Sequence, residues 1–239
     1  MGKIVGIMQP TYIPWMGYFE MIAASDVFIF LDDVQFSKKS WQQRNRIKGA
    51  NGPFWLTIPV VHKSGPFKIL KDVEINNATD WQQKHIKSIE IAYSKTPYFA
   101  QQINAVKEIY SKKWKNLVDF NIATINMLME QIGISTPTIR SSSMNITSKG
   151  NHKIVDLCEY VGADELYDAA GAFDFIDNGL FKQAGIRVAF QNYLHPEYPQ
   201  LHSDFIPYLS TIDLVFSQGA NALNLIRSGA NSPVYGENT

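Results

Sequence analysis

The sequence predicts an α/β fold, a Rossmann-like parallel sheet with a helical insertion near the middle of the chain. Three observations predict it. Ile4-Val5-Gly6-Ile7-Met8 and Val27-Phe28-Ile29-Phe30-Leu31 are short apolar runs of the buried-strand kind. Between them, Trp15, Phe19, Ile22 and Ala23 fall on one face of a helix. Strand, loop, helix, strand is a βαβ unit, which pairs its strands in parallel and places a ligand at their carboxyl edge. Finally, the apolar spacing is helical in successive segments from about residue 80 to 132, which marks the insertion.

The elements follow in order. The first strand stops at Gln9-Pro10, because proline has no N–H for a central ladder. Tyr12-Ile13-Pro14-Trp15 makes a loop, and Pro14 suits the first turn of a helix ending near Ser25. Asp26 and Asp32 bound the second strand. The run from Phe54 to Val61 is a further strand candidate, with a turn over 49–53 before it and a loop over 62–66 after it. Val73-Glu74-Ile75 reads as a short strand. A helix over 80–92 puts Trp81, His85, Ile89 and Ala92 on one face. Helices over 98–112 and 114–132 follow, the second with Leu117, Ile125, Met129 and Ile132 aligned. Residues 135–147 are Ser/Thr-rich and extended. A helix starts near Asn151 and ends at Gly162, and another spans Phe173 to Ala184 with Gly185 as its stop. Ile186 to Gln191 alternates as a strand, and after a loop to about Leu209 a helical piece closes the chain.

Composition narrows the function. The chain has 239 residues, with 22 Lys+Arg against 22 Asp+Glu. Zero net charge excludes a whole-domain attraction to nucleic acid or anionic lipid, while leaving room for a local basic patch. One cysteine, Cys158, excludes an intramolecular disulfide and a Cys-rich zinc site. No apolar run approaches the ~20 residues of a membrane helix. Ile4–Met8 is too short for a signal-peptide core. A soluble cytoplasmic protein without membrane insertion is expected, and its clustered unusual residues point to an enzyme.

Several constellations carry that chemistry. Met8-Gln9-Pro10-Thr11-Tyr12-Ile13-Pro14-Trp15-Met16-Gly17-Tyr18 joins the first strand to a helix N-terminus, where free N–H groups and the dipole favour phosphate. Gln9, Tyr12 and Trp15 belong to it, and the aromatics either stack on a base or pack the loop. Asp32-Asp33-Val34-Gln35 follows the second strand. Its carboxylates suit Mg²⁺ on a phosphate, a base, or a turn cap. Lys38 to Lys48 holds five cations among Trp41, Arg44, Asn45 and Arg46. It reads either as a bidentate phosphate or carboxylate reader or as a solvated loop. Lys84 and His85 lie on the predicted helix over 80–92, where a histidine is a packing residue or a base. His195 and Tyr198 sit in a loop stiffened by Pro196 and Pro199, which lowers the cost of holding an acid or base. Thr147-Ser148-Lys149-Gly150-Asn151 is a phosphate cradle or an ordinary cap. No G-x-S-x-G elbow occurs.

The run IVGIMQPTYIPWMGYFEMIAASDVFIFLDDVQFSKKSWQQRNRIK resembles the WbqC-like family. So do WLTIPV, WQQKHIKSIEIAYSKTPYF and FQNYLHPEYPQL. The likeness spans essentially residues 1–239, which implies one domain. It implies a role in surface-polysaccharide (O-antigen) biosynthesis. The implied reaction places an acyl or aminoacyl group, such as glycine, on the amine of a nucleotide-linked amino sugar. By motif it implies Gln9, Tyr12, Trp15, Asp33, Gln35, Trp41, Asn45, Arg46, Lys84, His85, His195 and Tyr198 as site residues. A more distant likeness is to pantothenate synthetase and its nucleotidyl-transferring relatives, which adenylate an acid and join it to an amine. There, Trp15-Met16-Gly17-Tyr18 stands where a His-x-Gly-His signature would be. With aromatics in place of both histidines, a preactivated acyl donor is as open as ATP with Mg²⁺.

These readings combine into an N-acyltransferase. His195 is the expected base, His85 the second choice and Asp33 an orienting carboxylate. Arg44 and Arg46 would meet the pyrophosphate, and Asn45 or backbone N–H groups the developing oxyanion. The alternatives are a sugar-nucleotide-binding protein without turnover and a Mg²⁺-dependent nucleotidyl-transferring enzyme using Asp32 and Asp33.

Overall fold

In a computed structural model, which describes residues 2–61, 68–202 and 204–236, Ile4–Met8 forms strand β1. Helix α1 (Met16–Ala24) returns the chain to β2 (Val27–Phe30). The strands pair in parallel, Val5 opposite Val27 and Met8 opposite Phe30, as the βαβ reading requires. The helix starts later than expected: Trp15 is its N-cap, so Pro14 lies just outside it.

An antiparallel hairpin follows, β3 (Arg44–Gly49) and β4 (Gly52–Thr57), closed by Ala50 and Asn51. The strand expected over 54–61 therefore begins two residues earlier and stops before Pro59. Its partner β3 lies inside the cationic run that the sequence leaves as a loop. Val73–Ile75 is not a strand but makes isolated bridges, Ile75 to Val60 and Glu74 to Asn116. The loop expected over 62–66 lies outside the described residues.

The insertion consists of α2 (Trp81–Tyr93), α3 (Phe99–Ser111) and α4 (Leu117–Ile132). Gly133 ends α4 in a left-handed conformation, φ +88°, that costs glycine nothing. The extended segment after it contributes β5 (Thr138–Arg140), then a 3₁₀ turn over 141–143. Helix α5 (Gly150–Val161) leads to β6 (Glu165–Asp168), a strand absent from the sequence reading. The helix expected over 173–184 is broken. A 3₁₀ segment ends at Phe175, and α6 (Asn178–Gln183) starts anew because Asp177 accepts the Gly179 and Leu180 N–H groups. Strand β7 (Arg187–Phe190), helices α7 (Thr211–Gln218) and α8 (Ala222–Ser228) and the short β8 (Val234–Tyr235) complete the chain.

The main sheet has the order β5-β2-β1-β6-β7-β8, parallel except for β8. Alternation on β1 and β2 explains its two buried faces. Val5, Ile7, Val27 and Ile29 face α5 and α6, against Val155, Leu157, Cys158 and Phe181. Phe28 and Phe30 face the other layer, where Tyr18, Phe19, Phe120 and Phe216 lie. From β1 the chain runs outward through β2 to β5, then crosses back to place β6 on the opposite side of β1. The strand order reverses between β1 and β6, and a crevice opens at their carboxyl ends, where α/β sheets bind ligands. Among the described residues no helix is long and apolar enough to cross a membrane.

Candidate functional site

The loop from β1 to α1 forms one wall of that crevice, and nearly every carbonyl in it is tied down. Tyr18 Oη donates to Gln9 O (3.2 Å), and Asn121 Nδ2 to Pro10 O (3.1 Å). Asn45 Nδ2 donates to Tyr12 O (3.1 Å) and Ile13 O (2.8 Å). Thr211 N–H donates to Pro14 O (2.8 Å), and Tyr12 N–H to Trp41 O (2.9 Å). These bonds hold Ile13 at φ +36°, a region that β-branched residues avoid. Thr11 sits at the centre of the loop, partly exposed and without a hydrogen-bond partner among the described residues.

Two cavities meet at Met8, Thr11 and Trp41. The larger, about 460 Å³, lies in the crevice and is lined by Gln9, Leu31, Ser37, Ser40, Gln42, Asp168 and Ala172 among others. Gln9 Oε1 accepts a short hydrogen bond from Gln42, whose Oε1 accepts the Ser37 N–H (2.9 Å). Asp168 ends β6 and is half-buried. Burial pushes its carboxyl up to about 6, against the opposing Ala169 N–H bond of 2.7 Å. The smaller cavity, about 240 Å³, is mostly apolar and is lined by Pro14, Trp15, Tyr18, Asn45 and Tyr208 besides the shared residues.

The β3–β4 hairpin adds a cationic, aromatic face beside Trp41. Strand alternation turns Asn45 and Ile47 inward and Arg44 and Arg46 outward. Arg44 lies over the Trp55 ring at 4.2 Å and Arg46 at 5.8 Å, while Trp41 and Trp55 are 5.4 Å apart. Both indoles stay nearly half exposed, 48% and 43%. The Nε atoms of both arginines are buried without a partner, and neither guanidinium has a carboxylate in ion-pair reach among the described residues. The rest of this run is structural. Lys48 is buried, its ammonium held by Gln200, His202 O (2.8 Å) and Asp204 O.

An aromatic group backs the smaller cavity. Trp15 stacks near His195 (6.2 Å) and touches Tyr193 (5.6 Å) and Tyr208 (5.2 Å). A Cβ on Gly17 would come within 2.2 Å of the Trp15 ring, so glycine is required for this approach. Tyr208 sits at φ +58°, a second uncommon backbone beside the same cavity. His195 Nδ1 lies 2.9 Å from Pro196 O. A carbonyl only accepts, so Nδ1 carries the proton and Nε2 the lone pair. Burial keeps this imidazole neutral by lowering its proton affinity. Tyr198 Oη donates to the buried Asp213 (2.9 Å), anchoring the chain around Tyr198 on α7.

The WbqC-like protein family model matches residues 9–225. The chain belongs to the WbqC-like protein family. It is also 34% identical over 227 residues to the uncharacterized protein Rv1507c of Mycobacterium tuberculosis (strain ATCC 25618 / H37Rv), covering 94% of this chain and 98% of the relative. No solved structure matches.

In this WbqC-like chain the sequence-predicted residues divide into groups. Gln9, Trp15, Trp41 and Asn45 line the two cavities, and Arg44 and Arg46 flank them beside Trp41. His195 and Tyr198 stand behind that wall: His195 packs against Trp15 and Tyr208, which line the smaller cavity, and Tyr198 stacks on His195. His85 is in the core, packed by Trp81 and Tyr110, with Nδ1 2.9 Å from Tyr12 Oη. Burial pulls its imidazole down to about 4, against a Thr57 backbone bond, so it is neutral packing rather than a base in the cleft. Tyr12 is buried with it and cannot stack on a base. Lys84 projects to solvent on α2, and Gln35, also exposed, bridges Ile69.

Asp32 and Asp33 are both matched by cations. Asp32 is fully buried and accepts from Arg140 Nε (2.7 Å), Ser142 N–H (2.9 Å) and Ser142 Oγ (2.8 Å). Burial pushes its carboxyl up, but the Ser142 and Arg140 bonds outweigh that and hold it below the ordinary range. Asp33 accepts from Lys153 Nζ (2.6 Å) and Ser141 Oγ (2.6 Å). Saturated in this way, the pair does not fit Mg²⁺. The Lys149–Asn151 stretch opens α5, and Asn151 braces Phe175 and Asp177 instead of forming a free cradle.

Sequence reasoning misses Asp168 and Trp55, and marks Thr11 only as part of the Met8–Tyr18 run. The signal for Trp55 is the alternation of Arg44, Asn45, Arg46 and Ile47 before a two-residue turn. Asp168 has a weaker one, an acidic residue closing a short run before small residues.

Proposed function

We propose that this chain is an amide-forming N-acyl or aminoacyl transferase acting on a nucleotide-linked amino sugar. The carrying observation is the continuity of the crevice with the hairpin face through Trp41. One end offers two unpaired guanidinium groups and two half-exposed indoles, which suit a diphosphate and a base. The other is a cavity with hydroxyl, amide and carboxyl groups, which suits a polar sugar. The adjoining apolar cavity suits a small acyl group beside it. The tied loop fixes Thr11 between the two, so little order is lost on binding. The family resemblance to polysaccharide biosynthesis points the same way.

The test is intact mass of UDP- and dTDP-linked amino sugars incubated with the protein. One arm contains glycine, ATP and Mg²⁺, the other a preactivated glycyl donor. A gain of about 57 Da, the mass of one glycine less water, is expected in one arm. Arg44→Ala and Arg46→Ala should raise KM for the nucleotide sugar. No gain with any amino acid or acyl donor, while calorimetry still shows nucleotide-sugar binding, would instead leave a binding protein without turnover.

A further inference from the structure

We infer that Asp168 is the group that seats the amine of the acceptor as an ammonium and takes its proton. This rests on the reading of the crevice as the acceptor site. Three carboxylates gather at the carboxyl edge of the sheet, and two are consumed: Asp32 by Arg140 and Asp33 by Lys153. Asp168 has no cation within ion-pair distance among the described residues. It is also the one ionisable side chain on the wall of the larger cavity among those residues. One of its oxygens is oriented by the Ala169 N–H, and its own carbonyl accepts the Gln191 N–H (2.8 Å). The carboxylate therefore has a fixed direction and an open second oxygen. A half-buried anion without a counter-charge is costly unless a ligand supplies one. A primary ammonium does so with a charge-assisted hydrogen bond. Burial raises the proton affinity of the carboxylate towards neutrality, which suits a base.

The step balances with an activated acyl donor, an acyl group on a thioester, phosphate or adenylate leaving group. The ammonium gives one proton to the Asp168 carboxylate. The freed nitrogen lone pair attacks the acyl carbonyl carbon, a C–N bond forms, and the bond to the leaving group breaks with its electron pair. The second nitrogen proton departs with the leaving group, and Asp168 returns its proton to water.

Calorimetry with UDP- and dTDP-linked 2-amino and 4-amino hexoses, their N-acetyl counterparts, UDP and dTDP tests this. The wild-type protein should bind at least one amino form about tenfold or more tightly than its N-acetyl form, the range of a charge-assisted bond. Asp168→Asn should erase that preference while leaving UDP and dTDP affinity unchanged, which also reports that it folds. Asp168→Ser, which keeps an acceptor for the Ala169 N–H, should behave alike. An amine preference that survives both variants, or no preference in the wild type, overturns the assignment even if acyl transfer is observed. A preference lost in the variants upholds the ammonium seat even if no donor supports transfer; where transfer is seen, Asp168→Asn should also lower its rate, and an unchanged rate would overturn the proton-taking role.

Discussion

Asn45→Ala should both destabilise the protein and dissolve the site. The side chain makes two buried hydrogen bonds to the carbonyls of Tyr12 and Ile13, and its Oδ1 accepts the Arg46 N–H at 2.7 Å. At about 1–1.5 kcal/mol for each carbonyl left unsatisfied, the loss is roughly 2–3 kcal/mol. That is a large share of the ~5–15 kcal/mol that holds a domain together. For a chain of this size it lowers Tm by roughly 4–12 °C. The left-handed backbone of Ile13 costs about 1–2 kcal/mol to hold, so the freed loop relaxes and Thr11 leaves the cavity junction. Urea unfolding by circular dichroism measures the first effect and nucleotide-sugar calorimetry the second. Asn45→Asp, the same shape without the N–H donors, should be at least as damaging. A loss below about 0.5 kcal/mol with unchanged binding would refute the pinning argument.

Three further outcomes follow from the same geometry. His85 resists protonation, with its imidazole held down to about 4 against an ordinary 6.5. The unfolded chain takes up that proton first, so its contribution is full above pH 6.5 and is lost as pH falls toward 4, by about 3 kcal/mol. Urea titrations at stepped pH should show this slope reduced in His85→Gln; an identical slope would mean that His85 does not titrate as a core residue. Gly17→Ala should push Trp15 away from Tyr208 and His195, costing about 1–3 kcal/mol and shifting tryptophan emission; an unaltered spectrum would contradict the contact. Cys158 is buried, with its thiol pushed up to about 12 by burial and by Asp168 and Glu159. Alkylation in native buffer should be very slow and become complete in denaturant; fast native labelling would place the thiol outside the core.

Legibility differed between the elements. The β1–α1–β2 unit was readable because its strands are β-branched and aromatic and its helix repeats correctly. The helices of the insertion were readable for the same reason, down to the Trp81–His85–Ile89 face. Strand β3 was not, because its outward arginines and buried Lys48 read as a solvated charge run. Strand β6, Glu-Leu-Tyr-Asp, is too short and too charged at its ends to carry a clear strand signal, and Asp168 shares that weakness. His85 and Tyr12 lay in sequence motifs that the resemblance marks as functional. Their burial together depends on α2 packing over the β1–α1 loop, which no local pattern reports.

Local periodicity and turn chemistry encode the parallel α/β class, the helical insertion and the gathering of polar residues where strands end. Which carboxylate stays free is set by long-range packing. Asp32, Asp33 and Asp168 are chemically alike in the chain. Arg140 and Lys153 reach the first two through contacts 108 and 120 residues apart, and Asp168 meets no cation among the described residues. Charge pairing over such distances is set by how strands and helices stack, and no short-range pattern contains it.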